Sequence, residues 1–512
     1  MNKKNLFIIV LLIITAIYYF PIINLPPGPF DEGVILVGAE RILKGQIPSR
    51  DFFTQYTPGQ VYTLAALFKI FGISFITERA YDIVIKSLIS LFVFLIIRLF
   101  SSNKIALVGW AMSLMWVTLS SFAAYPVHPS ILCIYISVYF LLLHMKSEIR
   151  SEQDKIHYVI LSALFIVLAI LFRHDLGGPA AVVIALVLML RRITGVEISW
   201  IPLISYIATG IIAGLSVLIY FYLNSAIKIM VDDLILYPIN VFIKYQDFPY
   251  PLLSKNTLPF YVFPWITIFG VLTFLIFIKR KIDNTTAYGI LLISCIGIVF
   301  FNQVRMRSDL IHLLPVALTG ILLAPILLST LPKGLSLSIW QNRIVWALFI
   351  IVFGITLYKP LSMKVPYLRI SYVVKAVNPD IKRAKYLEID PDLKKTVTYV
   401  KDNTSKNEYI YVGAKNHDKV IFNHPIVYFL AERNPATKYH ELNPNLTKTI
   451  QEEIVNELKE KSVRLVVLTP GWRYEPNLSS IDLKIDLLDD YISTNFELKE
   501  TYGIFEIWTK KS

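Results

Sequence analysis

The sequence predicts a polytopic α-helical membrane protein of about eleven transmembrane helices with a C-terminal extracytoplasmic α/β domain. Three observations carry this expectation. The 512-residue chain is 55% hydrophobic and 17% charged, where soluble chains run near 25% charged. Long apolar stretches crowd the first 360 residues, each close to the roughly 20 residues that a helix needs to cross a bilayer. From about residue 361 the composition turns polar and the apolar runs shorten to strand length. A purely soluble enzyme and a disordered chain are excluded.

The spans fall near 5–25, 80–100, 104–122, 127–145, 156–172, 177–191, 201–223, 259–279, 286–302, 310–331 and 339–358. The first reads as a retained helix, because its apolar core exceeds the roughly 7–15 residues of a signal peptide. No small-residue cleavage site precedes Pro26-Pro27-Gly28. The net charge of +13 is concentrated in this part: residues 1–360 hold 27 basic and 16 acidic side chains, residues 361–512 hold 23 and 21. With the N-terminus inside, the inner loops carry 14 basic residues against the acids Glu148, Glu152, Asp154, Glu197 and Asp283. That is the positive-inside pattern. The charge is therefore a topology signal and not a nucleic-acid surface. An odd number of crossings then puts the tail outside a plasma (cytoplasmic) membrane.

Two outer loops are long. In the first, 26–79, Gly33–Lys44 reads as a short helix and Thr57–Phe71 as a second one, opened by Pro58 and lying along the interface. The fourth, 224–258, is aromatic-rich, with Tyr237, Phe242, Tyr245, Phe248 and Tyr250, as suits the headgroup zone. In the tail, Tyr409–Gly413 and Val463–Leu468 read as buried strands flanked by helices over Pro391–Lys401 and Lys448–Lys461. Gly503–Thr509 reads as an edge strand. No Gly-rich phosphate loop follows either buried strand, and Cys133 and Cys295 both lie in apolar runs, so neither nucleotide binding nor a disulfide framework is indicated.

On this map the acids outside the inner loops gather at the outer face, where ionisable residues carry a functional hypothesis. Asp31-Glu32 follows the first span. One carboxylate can act as a base on a hydroxyl and the other can orient it or hold a metal; alternatively Asp31 caps a helix and Glu32 complements its dipole. Arg173-His174-Asp175 ends the fifth span, fit either for a phosphate or sugar hydroxyl or for capping two helices. Arg305, Arg307, Asp309 and His312 open the tenth span; Asp309 and His312 share a helix face and the arginines match phosphate oxygens. Asp232-Asp233 reads as a solvated loop pair, with a metal-binding pair as the alternative. Zinc spacing and a Ser-His-Asp arrangement are not found.

These residues resemble the GT-C superfamily of membrane glycosyltransferases, which includes protein O-mannosyltransferases and the aminoarabinose transferase of lipid A. The likeness runs through Asp31-Glu32, Ala39-Glu40-Arg41-Ile42-Leu43, Tyr56-Thr57-Pro58-Gly59-Gln60-Val61-Tyr62, Arg173-His174-Asp175-Leu176-Gly177 and Arg307-Ser308-Asp309-Leu310-Ile311-His312-Leu313. In the tail it touches Tyr439-His440-Glu441-Leu442. It implies an outer-face cavity where a polyprenyl-phosphate-linked sugar, entering from the bilayer, meets a hydroxyl acceptor on a protein, lipid or polysaccharide of the cell envelope. Carried over, Asp31 is the base with Glu32 beside it, and inversion at the anomeric carbon would follow. Arg305, Arg307, His312 and Arg173 neutralise the departing phosphate, and Asp175, His174, Asp309, Arg41 and Tyr56 bind substrate. The second outer loop, Ala123–Ser130, lacks the acid some relatives carry there, and Asp175 is the candidate substitute. No cofactor is implied, and a divalent cation stays open. Two other readings stand beside this one. A lipid-linked-saccharide transporter or flippase needs polar groups at mid-membrane and paired halves. A non-catalytic receptor or scaffold needs the outer clusters to be separate salt bridges with no shared cavity.

Overall fold

The computed structural model describes residues 3–118, 124–149, 155–242, 249–335, 338–364, 378–406, 408–417, 422–442, 447–470 and 484–511. Ala123, Glu152, Asp154, Tyr245 and Phe248, named above, lie outside them.

Helices occupy the described part of every stretch read as a span: α1 (Lys3–Tyr19), α4 (Phe75–Phe100), α5 (Asn103–Val117), α6 (Val127–Ile149), α7 (Ile156–Phe172), α8 (His174–Ile193), α9 (Ile201–Leu223), α11 (Leu258–Lys279), α12 (Asn284–Met306), α13 (Leu310–Gly334) and α14 (Ile339–Lys364). Among the described residues, eight helices are long and apolar enough to cross a membrane: α4, α6, α8, α9 and α11 to α14. Their starts are chemically marked. The Ser74 hydroxyl accepts the Thr77 N–H at 3.3 Å to open α4, and the Asp283 carboxylate accepts from Thr285 and Thr286, both at 3.1 Å, to open α12. Such caps satisfy backbone donors that a helix start leaves without intrahelical partners. Burial orders the bundle. In α6 and α13, 83% of the apolar window is buried inside the protein, against 6% in α9 and 12% in α14. The first two are the centre, and the last two turn apolar side chains outward, as lipid-facing helices do.

The first long loop folds into α2 (Asp31–Leu43) and α3 (Gly59–Phe71), close to the expected bounds. Ile70 and Phe71, at the end of α3, are both 70% exposed. In the fourth outer loop, α10 (Ile227–Val231) continues into π-helical turns over Asp232–Leu236 and Pro238–Phe242.

The tail holds a five-stranded mixed sheet in the order β2-β1-β3-β5-β4. Its strands are β1 (Tyr409–Ala414), β2 (Asn434–Pro435), β3 (Leu465–Thr469), β4 (Phe496–Tyr502) and β5 (Phe505–Lys510); α15 (Pro391–Asn403) precedes them, and α16 (Ile426–Ala431), α17 (Lys448–Glu460) and α18 (Leu487–Asn495) lie between them in the chain. β1 pairs in parallel with β2 and β3; β5 pairs antiparallel with β3 and β4. One expectation is corrected here. The run read as an edge strand is β5, an interior strand, and the edge is β4. β4 reads Phe-Glu-Leu-Lys-Glu-Thr-Tyr, with five successive exposed residues. Its charges hide it from a hydropathy reading and also discourage sheet-to-sheet association at that edge.

α2 and α3 pack onto this sheet domain. Leu36, Val37, Val61 and Phe68 share one core with Ile410, Val427, Phe429 and Val467. The contact demands Gly33: a Cβ there would sit 2.5 Å from the Ile426 backbone nitrogen. Glu40 pairs with Arg383 at 2.8 Å, and Arg383 lies 4.8 Å over the Phe429 ring.

Candidate functional site

A cavity of about 250 Å³ opens where two helix-to-helix turns meet the first loop and the π-helical segment. It is lined by Gln55, Tyr56, Tyr125, Arg173, His174, Asp175, Tyr237, Gln303, Arg307 and His312, among others. The volume suits a group of sugar size, being below the roughly 300–1,000 Å³ of pockets for drug-sized ligands.

Both turns have the same design. α7 and α8 are joined by Arg173, extended at φ −151° and ψ 99°; α12 is followed by Arg307, extended at φ −148° and ψ 106°. Each arginine binds the aspartate two residues on. Arg173 forks to Asp175 through Nε at 2.7 Å and Nη2 at 2.5 Å, and Arg307 Nε donates to Asp309 at 2.9 Å. Asp175 also accepts from Gln303 at 2.7 Å, tying α8 to α12. Arg173 stands 5.0 Å over Tyr56 and 5.8 Å over Tyr125, and its Nη1 reaches the Tyr125 hydroxyl at 3.4 Å. Gly177 makes the first turn this tight, since a Cβ there would meet the Ile170 nitrogen at 2.5 Å. In the second turn Asp309 accepts from the Ile311 and His312 backbone and contacts the His312 ring nitrogen at 2.8 Å. Burial opposes its charge, but His312, the hydrogen bonds and Arg307 outweigh burial and hold the carboxyl well below the usual range.

The adjacent carboxylates of α2 diverge. Asp31 is the first helical residue; the capping position is Phe30 and makes no side-chain cap, so the capping alternative for Asp31 does not hold. Asp31 is half-buried and is not among the residues that line the cavity, but its charge is felt there. Burial pushes the Tyr56 and Tyr125 phenols above the ordinary range, and the Asp31 carboxylate adds to that at both. Glu32 turns the other way. It is 2% exposed, pairs with Arg79 of α4 at 2.8 Å and accepts the Gly28 N–H at 2.5 Å.

Of the residues expected from sequence, Tyr56, Arg173, His174, Asp175, Arg307 and His312 line one cavity, with Asp309 bound to two of them. Arg305 does not line it: it is exposed and bonds Asn302 of its own helix at 3.1 Å. Nor does Arg41. It is 5% exposed, donates to the Thr437 and Asp51 carbonyls at 2.9 and 2.8 Å, and so fastens α2 to the tail. Gln55, Tyr125, Tyr237 and Gln303 escaped the sequence reading because neutral residues give no charge signal there.

Asp233 departs from the solvated-loop expectation. Asp232 is exposed, but Asp233 is 8% exposed. Burial pushes its carboxyl up to about 7, against the Ser49 and Thr54 hydrogen bonds and the charge of Lys438. The folded chain therefore keeps a proton that the unfolded chain loses near pH 4. That stabilising contribution is complete below the unfolded value and drains away as pH rises through about 7. Asp233→Asn is expected to gain stability over wild type between pH 4 and 7, at up to about 1.4 kcal/mol per pH unit. Melting temperatures at pH 5 and pH 8 measure it; equal differences at both would contradict the assignment. Among the described residues no three His, Cys, Asp or Glu side chains cluster as a metal site.

No protein-family model matches this sequence, and no curated protein matches it by sequence. Solved structures do match. ArnT from Cupriavidus metallidurans, solved bound to undecaprenyl phosphate, superposes with a TM-score of 0.58 at 12% identity, over 100% of this chain and 99% of that one. The archaeal oligosaccharyltransferase AglB from Archaeoglobus fulgidus, solved with an inhibitory peptide and a dolichol-phosphate, gives 0.55 at 10% identity, over 92% of this chain and 70% of that one. At such identities the likeness is one of fold alone: this chain has the fold seen in ArnT and AglB.

Proposed function

We propose that this chain transfers a sugar from a polyprenyl-phosphate donor to a hydroxyl acceptor at the outer face of the membrane. The observation that carries this reading is the single cavity lined by Arg173, Arg307 and His312 with Asp31 within electrostatic reach of its tyrosines. Separate salt bridges, which a scaffold would need, do not describe it. The bound undecaprenyl phosphate of ArnT and dolichol-phosphate of AglB support a lipid-phosphate donor here. The sheet domain shares the end of the bundle that holds the cavity, which supports an extracytoplasmic position for both.

In this reading Asp31 takes the proton of the acceptor hydroxyl. The oxygen attacks the anomeric carbon as the bond from that carbon to the phosphate oxygen breaks. Charge then grows on the leaving phosphate, where preorganised cations lower the barrier most. Arg307 and His312 are suited to receive it, and Asp309 fixes both side chains in place. Arg173 is already forked to Asp175, so its role is to keep the cavity wall charged and rigid between two tyrosines.

Arg307→Ala tests the phosphate site. A hydrogen bond to a charged group contributes about 1.5–3 kcal/mol, so affinity for undecaprenyl phosphate is expected to fall roughly 10- to 150-fold. Titration of the purified full-length protein reads this directly, and unchanged affinity would remove Arg307 from the donor site.

A further inference from the structure

The tail buries a carboxyl of its own behind residues that line this cavity. Glu441 is 1% exposed, and neither of its carboxyl oxygens has a hydrogen-bond partner of normal geometry among the described residues. Buried polar atoms in that state call for an explanation. Its surroundings are those of the cavity. Glu441 lies beside the Gln55 backbone and within the electrostatic field of Asp31 and Asp233, and it acts in turn on Tyr56 and Tyr237. Gln55, Tyr56 and Tyr237 all line the cavity. The position is held firmly. Arg41 grips the Thr437 carbonyl, the Phe53 N–H bonds the Lys438 carbonyl at 3.1 Å, and His440 contacts the Val34 carbonyl at 3.3 Å. Burial, with Asp233 and Asp31 nearby, pushes the Glu441 carboxyl well above the carboxylate range. A carboxyl that keeps its proton offers both a donor and an acceptor, the pair of functions that a hydroxyl-bearing ligand meets.

We infer that Glu441 is a positioning residue that hydrogen-bonds a hydroxyl of the acceptor next to Asp31, so that the C-terminal domain completes the substrate site. The inference rests on the glycosyltransferase reading above.

The test compares wild type, Glu441→Met and Glu441→Gln as full-length proteins in proteoliposomes. Labelled undecaprenyl-phosphate hexoses and pentoses are the donors, and a dilution series of envelope extract from the expressing cells is the acceptor. Met keeps the length and removes the polar end, so it relieves a buried polar group without partners. Glu441→Met is expected to melt at or above the wild-type temperature, yet to need about tenfold more acceptor for half-maximal transfer. Its donor dependence stays within about twofold of wild type. Gln retains a donor and an acceptor and is expected to restore near-wild-type acceptor dependence. Wild-type acceptor dependence in Glu441→Met, or a melting loss that parallels the activity loss, overturns the inference. Transfer by none of the proteins from any donor refutes the glycosyltransferase reading and the inference with it.

Discussion

Asp31→Asn is expected to lose sugar transfer by roughly 10²- to 10⁴-fold while folding and binding undecaprenyl phosphate as the wild type does. The size follows from what general-base catalysis contributes when the proton acceptor is removed. The selectivity follows from the site. Asparagine has the same shape, and Asp31 is half-buried at the first turn of α2, where its charge favours the helix dipole by only about 0.3–1 kcal/mol. The cations assigned to the phosphate, Arg307 and His312, belong to the turn after α12 and to α13, not to α2. Initial transfer rates and an undecaprenyl phosphate titration on the same preparation separate the two effects. A rate within tenfold of wild type would move the base elsewhere.

One residue on, the expected result reverses. Glu32→Ala is expected to cost about 3–5 kcal/mol of stability, the usual effect of removing one member of a buried ion pair. Arg79 is 1% exposed and gives Glu32 three contacts, at 2.8, 3.1 and 3.2 Å. It also donates to the Leu25 carbonyl at 2.6 Å and to the Ile23 carbonyl at 3.2 Å. The pair therefore fixes the chain leaving α1 to α4 and sets where α2 begins. Without Glu32 the guanidinium loses its hydrogen-bonded carboxylate, and Glu78, at 3.6 Å, is too far to replace those hydrogen bonds. Thermal and denaturant unfolding of the full-length protein should show a loss far beyond that of Asp31→Asn. A loss under about 1 kcal/mol, the size of a surface change, would mean that the pair does not hold the loop.

The contrast between Asp31 and Glu32 marks how far sequence reading reaches. Hydropathy and loop charge locate the helices because crossing a bilayer demands long apolar runs and leaves little freedom. The clusters at Arg173–Asp175 and Arg307–His312 are legible because charges beside apolar helices need a reason. Which neighbour is taken up by a buried ion pair is not legible, because it depends on the phase of α2 and on Arg79, 47 residues away. The placement of Arg41 is not legible for the same cause: its partners are the Thr437 and Asp51 carbonyls, and a backbone acceptor has no sequence signature. Glu441 shows the limit most clearly. It stands in a polar stretch of the tail, where nothing in the sequence marks it as buried against the residues around the cavity; that follows from the docking of the sheet domain onto α2, through Gly33 and Ile426.

Sugar transfer from a lipid phosphate to a hydroxyl, the proposed function, is measured most directly with a donor panel: full-length protein in proteoliposomes, undecaprenyl-phosphate hexoses and pentoses labelled in the sugar, and envelope extract as acceptor. Label is expected to leave at least one donor for a hydroxyl-linked product, undecaprenyl phosphate to be released in equal amount, and Asp31→Asn to stop both. Label that stays on every donor, or that moves as fast with Asp31→Asn as with wild type, would contradict it.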